Sequence, residues 1–166
     1  MFALKALSHE GVESALAKAE RYRLLGEPAE AESICLDILE IEPANQRALV
    51  CYILAQTDHL GRDSKAAQGA LAAAGRLESA YDRAYYTGIV WERRAKALHD
   101  DKGRGTQHSV YEWIVKALDY FDQASKIHPA GNDDAILRWN TCVRFLAKNP
   151  AVTPRTEEVP EPIVSE

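Results

Sequence analysis

The sequence predicts an all-α protein: a stack of about three helical hairpins closed by one further helix. Three observations predict it. The first is recurring punctuation. In Leu25-Gly26-Glu27-Pro28-Ala29-Glu30-Ala31 an Ala follows Gly by five residues, and Pro43 follows that Ala by twelve. Gly61 and Ala66 repeat the first spacing; Ala117 and Pro129, with Phe121 and Ala124 between them, repeat the second. A unit recurring at this length signals stacked helix pairs. The second observation is apolar residues at three- and four-residue steps, the period of one helix face. The third is composition. Ala is abundant, Phe occurs three times, and the seven Pro fall mostly outside periodic segments, which favours helix over sheet.

Residues 12–25 form the first predicted helix, with Ala15, Ala19, Tyr22 and Leu25 on one face. Gly26 stops it. Pro28 stands in the first turn of the next helix, 28–41, where a missing N–H costs nothing. Ala31, Ile34, Cys35, Ile38 and Leu39 form its buried stripe, and Pro43 and Asn45 end it. A third helix, 46–59, carries Ala48, Leu49, Tyr52, Ile53 and Gln56. After Gly61, with Asp63 or Ser64 as N-cap, the Ala-rich helix 64–74 ends at Gly75, a candidate C-terminal cap.

The third pair is longer. Helix 79–98 carries Ala84, Gly88, Trp91, Ala95 and Leu98. Its partner is expected to start after Ser109, because Ser109-Val110-Tyr111-Glu112 reads as a capping box, and to run to about Ile127. From Gly88 to Ala117 is 29 residues, where Ala19 to Ala31 is 12, so both helices are extended and joined by a loop near 100–107. The extension covers 99–114. A last helix, 133–147, has Ala135, Trp139, Cys142 and Leu146 as one stripe, with Asn132 or Asp133 as cap. These elements give a helical domain over 1–148. Pro150, Pro154, Pro160 and Pro162 among Glu157, Glu158, Glu161 and Glu166 predict a disordered acidic tail over 149–166 that folds back or tethers.

Composition excludes several functions. A net charge of -5 argues against nucleic acid, which needs a basic stripe; Arg93-Arg94-Ala95-Lys96 is short, flanked by Glu92 and Asp100, and reads as a solvated helix face. Met1-Phe2-Ala3-Leu4-Lys5 has no sustained apolar core or cleavage site, so no secretory signal is expected, and no apolar run reaches membrane-spanning length. Cys35, Cys51 and Cys142 are odd in number and widely spaced, which fits buried thiols in a reducing cytoplasm.

These residues together resemble the tetratricopeptide repeat, a 34-residue helix-turn-helix unit. With Ala31 at the signature Ala, the residues Ala19, Tyr22, Gly26 and Pro43 fall on the family's small, aromatic, Gly and Pro positions, while Cys35 and Ile38 depart from its preferences. The third repeat matches better through Gly88, Trp91, Ala117, Phe121, Ala124 and Pro129, apart from the insertion. In the second, helix 46–59 has one extra residue, Ile53 replaces a small residue and Glu78 replaces Pro. The resemblance spans about 12–146. It implies a right-handed α-α superhelix of about three repeats, with 132–140 in a C-terminal capping helix whose outer face is more polar.

It also implies a binding groove on the first helix of each pair. The ligand-facing positions carry over as Leu16, Glu20 and Arg23; Val50, Leu54 and Thr57; Tyr85, Ile89 and Glu92; and Asn140 from the last helix. Such a mixture suits an amphipathic helix or an extended peptide. Glu20 would repel a C-terminal carboxylate, so a carboxylate clamp is disfavoured. The expected function is therefore non-catalytic binding of a protein or peptide. The alternative is self-association through the extended hairpin, with Tyr111, Trp113 and Ile114 as a second interface. Trp91 and Trp139 are expected in the core. Trp113 either buries against Leu98 or anchors a partner.

Chemical motifs are weak. His9-Glu10-Gly11-Val12-Glu13 has Glu13 where a zinc protease motif needs its second His. His99, Asp100, Asp101 and His108 read as a polar loop rather than a cation site. Gly103-Arg104-Gly105 lacks the preceding strand and the Lys-Ser/Thr pair of a phosphate loop. No nucleophile–base arrangement can be placed; Ser33 and Cys35 lie on a packing helix. No metal, cofactor or catalytic residue is expected.

Overall fold

The computed structural model describes residues 2–60, 64–101 and 106–155. A 3-10 turn, His9–Gly11, leads into α1 (Val12–Leu24), α2 (Pro28–Ile41), α3 (Gln46–Asp58), α4 (Ser64–Gly75), α5 (Ala80–Asp100), α6 (Gln107–Lys126) and α7 (Asp134–Lys148). No strand occurs among the described residues. The protein is all-α.

Each helix packs on the next, and α1 also meets α3 as α3 meets α5. The α1, α3 and α5 helices therefore form one row. The core follows this order in successive layers. Val12, Leu16, Ala19, Ala31, Cys35 and Ile38 join α1 and α2 to α3. Leu49, Ile53, Ala67, Ala70 and Ala74 join α3 to α4, with Val90 of α5. Ile89, Ala95, Val110, Ile114, Ala117, Phe121 and Cys142 join α5, α6 and α7. The burial of each large member, such as Leu16, Ile53 or Phe121, stabilises the fold by roughly 1.5–3 kcal/mol. The many alanines let backbones approach closely.

The ends of the helices show how local chemistry sets the hairpins. Gly26 adopts φ +78°, the left-handed conformation. Around it Gly26 N–H donates to the Arg23 carbonyl and Glu27 N–H to that of Tyr22, closing α1 by the 5→2 and 6→1 bonds of a Schellman motif. Asn45 Oδ1 accepts from Ala48 N–H at 3.0 Å to cap α3, and Ser79 Oγ accepts from Asp82 N–H at 3.2 Å to cap α5. Of the two candidates before α7, Asn132 does the work: its Oδ1 accepts from Asp134 N–H at 3.0 Å.

Two expected caps are absent. Gly75 is the last residue of α4, and among the described residues the positive-φ glycines are Gly26 and Gly131; α4 ends instead on Arg76 N–H and Leu77 N–H, which donate to the Ala73 and Ala74 carbonyls. Ser109 caps nothing, because α6 begins two residues earlier at Gln107. The candidates Gly61 and Asp63, and Gly103-Arg104-Gly105, lie outside the described residues; of Ser64 only the backbone is described.

The third hairpin is extended: α5 has 21 residues and α6 has 20, against 13 and 14 in α1 and α2. Its tightest point is Gly88. A Cβ there would lie 2.6 Å from Phe121 Cε1 and 2.8 Å from Cδ1.

Trp139, expected in the core, is about one-third exposed on α7, and Trp91 is half-buried. The α7 stripe that faces inward is Ala135 and Cys142. The expected tail also begins later than 149. Val152 is buried in the α5–α6–α7 layer, and the Thr153 carbonyl lies 2.9 Å from His108 Nδ1. Residues 149–153 thus lie against the domain, and 156–166 fall outside the described residues.

Replacing Gly88 by Ala is expected to cost about 1–3 kcal/mol, because the ring that must give way is itself fully buried. Thermal or urea unfolding measures this. A second substitution, Phe121→Leu, should lose less stability in the Gly88→Ala background than in the native chain.

Candidate partner-binding cleft

The row of α1, α3 and α5 encloses a cleft of about 350 Å³. Glu20 and Arg23 enter it from α1; Gln46, Arg47, Val50, Cys51 and Leu54 from α3; Asp82 and Tyr86 from α5. Val50, Leu54 and Tyr86 give it an apolar floor. Ion pairs between neighbouring helices stand at both ends.

At one end Arg47, early in α3, reaches Glu13 Oε2 at 2.9 Å and Glu20 Oε1 at 3.4 Å on α1. At the other, Asp58, the last residue of α3, accepts from two arginines. Arg23 of α1 bonds Oδ2 and Arg93 of α5 bonds Oδ1. Arg93 Nη1 also donates to Thr57 Oγ1 at 2.8 Å. All three charged side chains are about one-quarter exposed. Glu13–Arg47, Arg23–Asp58 and Asp58–Arg93 are separated by 34 or 35 residues along the chain, the length expected of one repeat unit, and Glu20–Arg47 by 27.

The residues expected to line the groove divide into two groups. Glu20, Arg23, Val50 and Leu54 line the cleft. Thr57 is buried beneath its rim, where its hydroxyl holds Arg93. Leu16 and Ile89 are core residues with no free surface to offer. Asn140 is half-buried on α7 and does not line the cleft. On α5 the lining residues are rotated from those expected. Tyr86 faces the cleft. Tyr85 instead lies parallel to Tyr81 at 5.7 Å and 6.0 Å from Phe121, on the side towards α6.

Glu92, two turns beyond Tyr85, shares that side of α5. Its side chain is 1% exposed and forms an ionic link between α5 and α7, to Lys96 one turn on and to Arg138 Nη1 at 3.5 Å. Oε2 has no hydrogen-bond partner among the described residues. Side chains of α7 thus cover the stripe that Tyr85 and Glu92 share. The Arg93–Lys96 run is correspondingly not a solvated face. Arg93 binds Asp58, Lys96 binds Glu92, and the Arg94 guanidinium lies 4.1 Å from the Trp113 ring centre and 5.4 Å from that of Trp91. Burial lowers the Arg94 pKa.

This arrangement also settles the position of the extended hairpin's aromatic residues. Trp113 packs within the hairpin, 6.3 Å from Trp91 and under Arg94; Ile114 is fully buried, and Tyr111 is half-buried in the same layer. Ile114 is therefore no interface residue. His99 meets the Phe145 ring edge-on at 5.2 Å, and His108 faces the Thr153 carbonyl, so both histidines of the expected polar loop have packing partners. His9 Nδ1 lies 3.7 Å from Glu42 Oε1. No group of three or more His, Cys, Asp or Glu side chains able to hold a metal ion occurs among the described residues.

Cys51 contributes a thiol at the edge of the cleft. The thiol of Cys35 on α2 donates a hydrogen bond to it, which draws the Cys51 pKa down and pushes that of Cys35 up. Burial raises the Cys142 thiol to about 12 and the Tyr86 phenol to about 12. Arg47, Gln46, Cys51, Asp82 and Tyr86 were not expected at the site. For Arg47 a signal exists: a cation one repeat length after Glu13.

Comparison with protein-family models, with curated proteins and with solved structures finds no match to this chain. No helix among the described residues is long and apolar enough to cross a membrane.

Two outcomes test this description. Under native conditions near pH 8, a small alkylating reagent should modify Cys51 first, with Cys35 and Cys142 reacting only on unfolding; peptide mass mapping reads the order. Changing both Lys96 and Arg138 to Met strands the Glu92 carboxylate and should cost about 3–5 kcal/mol, and adding Glu92→Met should restore most of it, as measured by urea unfolding.

Proposed function

We propose that this chain is a non-catalytic protein-interaction module of the tetratricopeptide-repeat kind, which holds a segment of another protein in the cleft between α1, α3 and α5. One observation carries this reading: an apolar floor of Val50, Leu54 and Tyr86 lies between two sets of ion pairs that tie neighbouring helices one repeat length apart. The floor can bury two or three apolar side chains of a helix or extended strand. The Glu20–Arg47 and Arg23–Asp58 pairs at its ends offer either sign of charge to a ligand's polar flank. The three cysteines stand as free thiols, which suits a reducing compartment such as the cytoplasm.

Panning a displayed library of short peptides against the full chain tests the reading. Enriched peptides should carry apolar anchors flanked by charge. Their affinity should fall tenfold or more on Leu54→Ala, and their rate of association should change on Arg47→Glu. Peptides that bind both variants as they bind the native chain would place the site elsewhere.

A further inference from the structure

The helix expected to close the stack with a more polar face also exposes apolar side chains. On α7, Ile136, Trp139 and Val143 follow at steps of three and four residues and are 40%, 36% and 45% exposed; Leu137, further round the helix, is 60% exposed. Ala135 and Cys142, about a quarter of a turn round the helix from this stripe, already satisfy the core. A contiguous apolar stripe of this kind marks an interaction surface. Its exposed charges are mainly basic: with Arg138 turned in to Glu92, Arg144 and Lys148 stand outward on α7 against one acid, Asp134.

At the other end of the stack α2 has the complementary character. It contains Glu30, Glu32, Asp37 and Glu40 and no Lys or Arg. Glu32 turns inward to Gln56 and His59, which leaves Glu30, Asp37 and Glu40 outward around Leu36, itself 50% exposed. The N-terminal residues Leu4–Leu7 pass alongside and make a depression of about 440 Å³ with Leu36 and Ile41, rimmed by Asp37, Glu40 and Lys5. It is an apolar seat with a mostly acidic rim.

We infer that the chain binds a second copy of itself head to tail, the outer face of α7 docking on the Leu36 face of α2. Charge favours one pairing. Two α7 faces brought together would oppose two mainly basic surfaces, and two α2 faces would oppose acids to acids. The unlike pair joins a mainly basic face to a mainly acidic one over apolar centres. Because the two faces lie on the first hairpin and on the last helix, both can be occupied at once, and the contact propagates into a ring or a filament rather than closing as a dimer. The surface is distinct from the cleft and from the Trp113 side of the extended hairpin. Its few apolar side chains make a small contact, so the association is weak and depends markedly on salt.

Sedimentation velocity on the full chain, from low to several hundred micromolar, tests this. The native chain should form species beyond the monomer in low salt and fewer in high salt. Leu36→Glu and Val143→Glu each bury a carboxylate in one face and alter an exposed position, so circular dichroism should be unchanged. Each variant alone should be monomeric, and an equimolar mixture should give a 1:1 heterodimer, since each retains the face the other lacks. Arg47→Glu, in the cleft, should leave assembly intact, which separates this contact from peptide binding. A native chain that stays monomeric throughout overturns the proposal. So does a Leu36→Glu variant that still dimerises, which would indicate pairing of α7 with α7, and so does a mixture that fails to pair.

Discussion

Between α5 and α6 the Phe121 ring occupies the space that a Cβ on Gly88 would fill. The rest of the C-terminal half is arranged around that approach. Because the ring sits there, α5 is held with Tyr85 towards α6 and Tyr86 towards α3. Glu92, two turns of side chains further along the Tyr85 side, then falls within reach of Arg138. The same principle runs through the N-terminal half in weaker form. There alanines, not glycine, set the separation, and Ala19, Ala31, Ala48 and Ala55 have no exposed surface at all. Small residues give close contact but little directional information. Direction comes from the ion pairs, which bind α1 to α3 and α3 to α5 at defined positions along each helix.

Most helix boundaries were legible in the sequence, because each is set within a few residues of chain. Gly26 must be left-handed, Pro28 fits a first turn, and Asn45 offers an oxygen to the N–H three residues on. The capping box at Ser109 was equally local and misled, since the α5–α6 packing extends α6 back to Gln107 and makes a nearby cap irrelevant. Trp139 misled for a related reason. Its spacing from Ala135 and Cys142 puts it near the inner stripe, but a helix face buries about a third of its circumference, and Ala135 and Cys142 fill it.

The candidate site was half legible. On α1 and α3 a transferred pattern of positions picked out Glu20, Arg23, Val50 and Leu54, since both helices belong to hairpins of ordinary length. On α5 it selected the stripe one residue away from the cleft. No local pattern announces that α7 will cover Tyr85 and Glu92, because that depends on a pair of charges 46 positions apart in the chain. What the sequence did contain, unused, was opposite charge at one repeat length: Glu13 with Arg47, Arg23 with Asp58, Asp58 with Arg93. In a stack of similar hairpins such a period converts directly into neighbours on adjacent helices.

Asp58 belongs to two of those pairs at once. A carboxylate shared by Arg23 and Arg93 makes three helices a single mechanical element, for a tilt of α1 changes the field at Arg93 through the same two oxygens. Such a joint fixes the spacing of the three helices it ties. The width of the cleft is then a property of ionic balance as much as of packing. A polar group on a bound chain that competes for Asp58 would loosen both neighbours together.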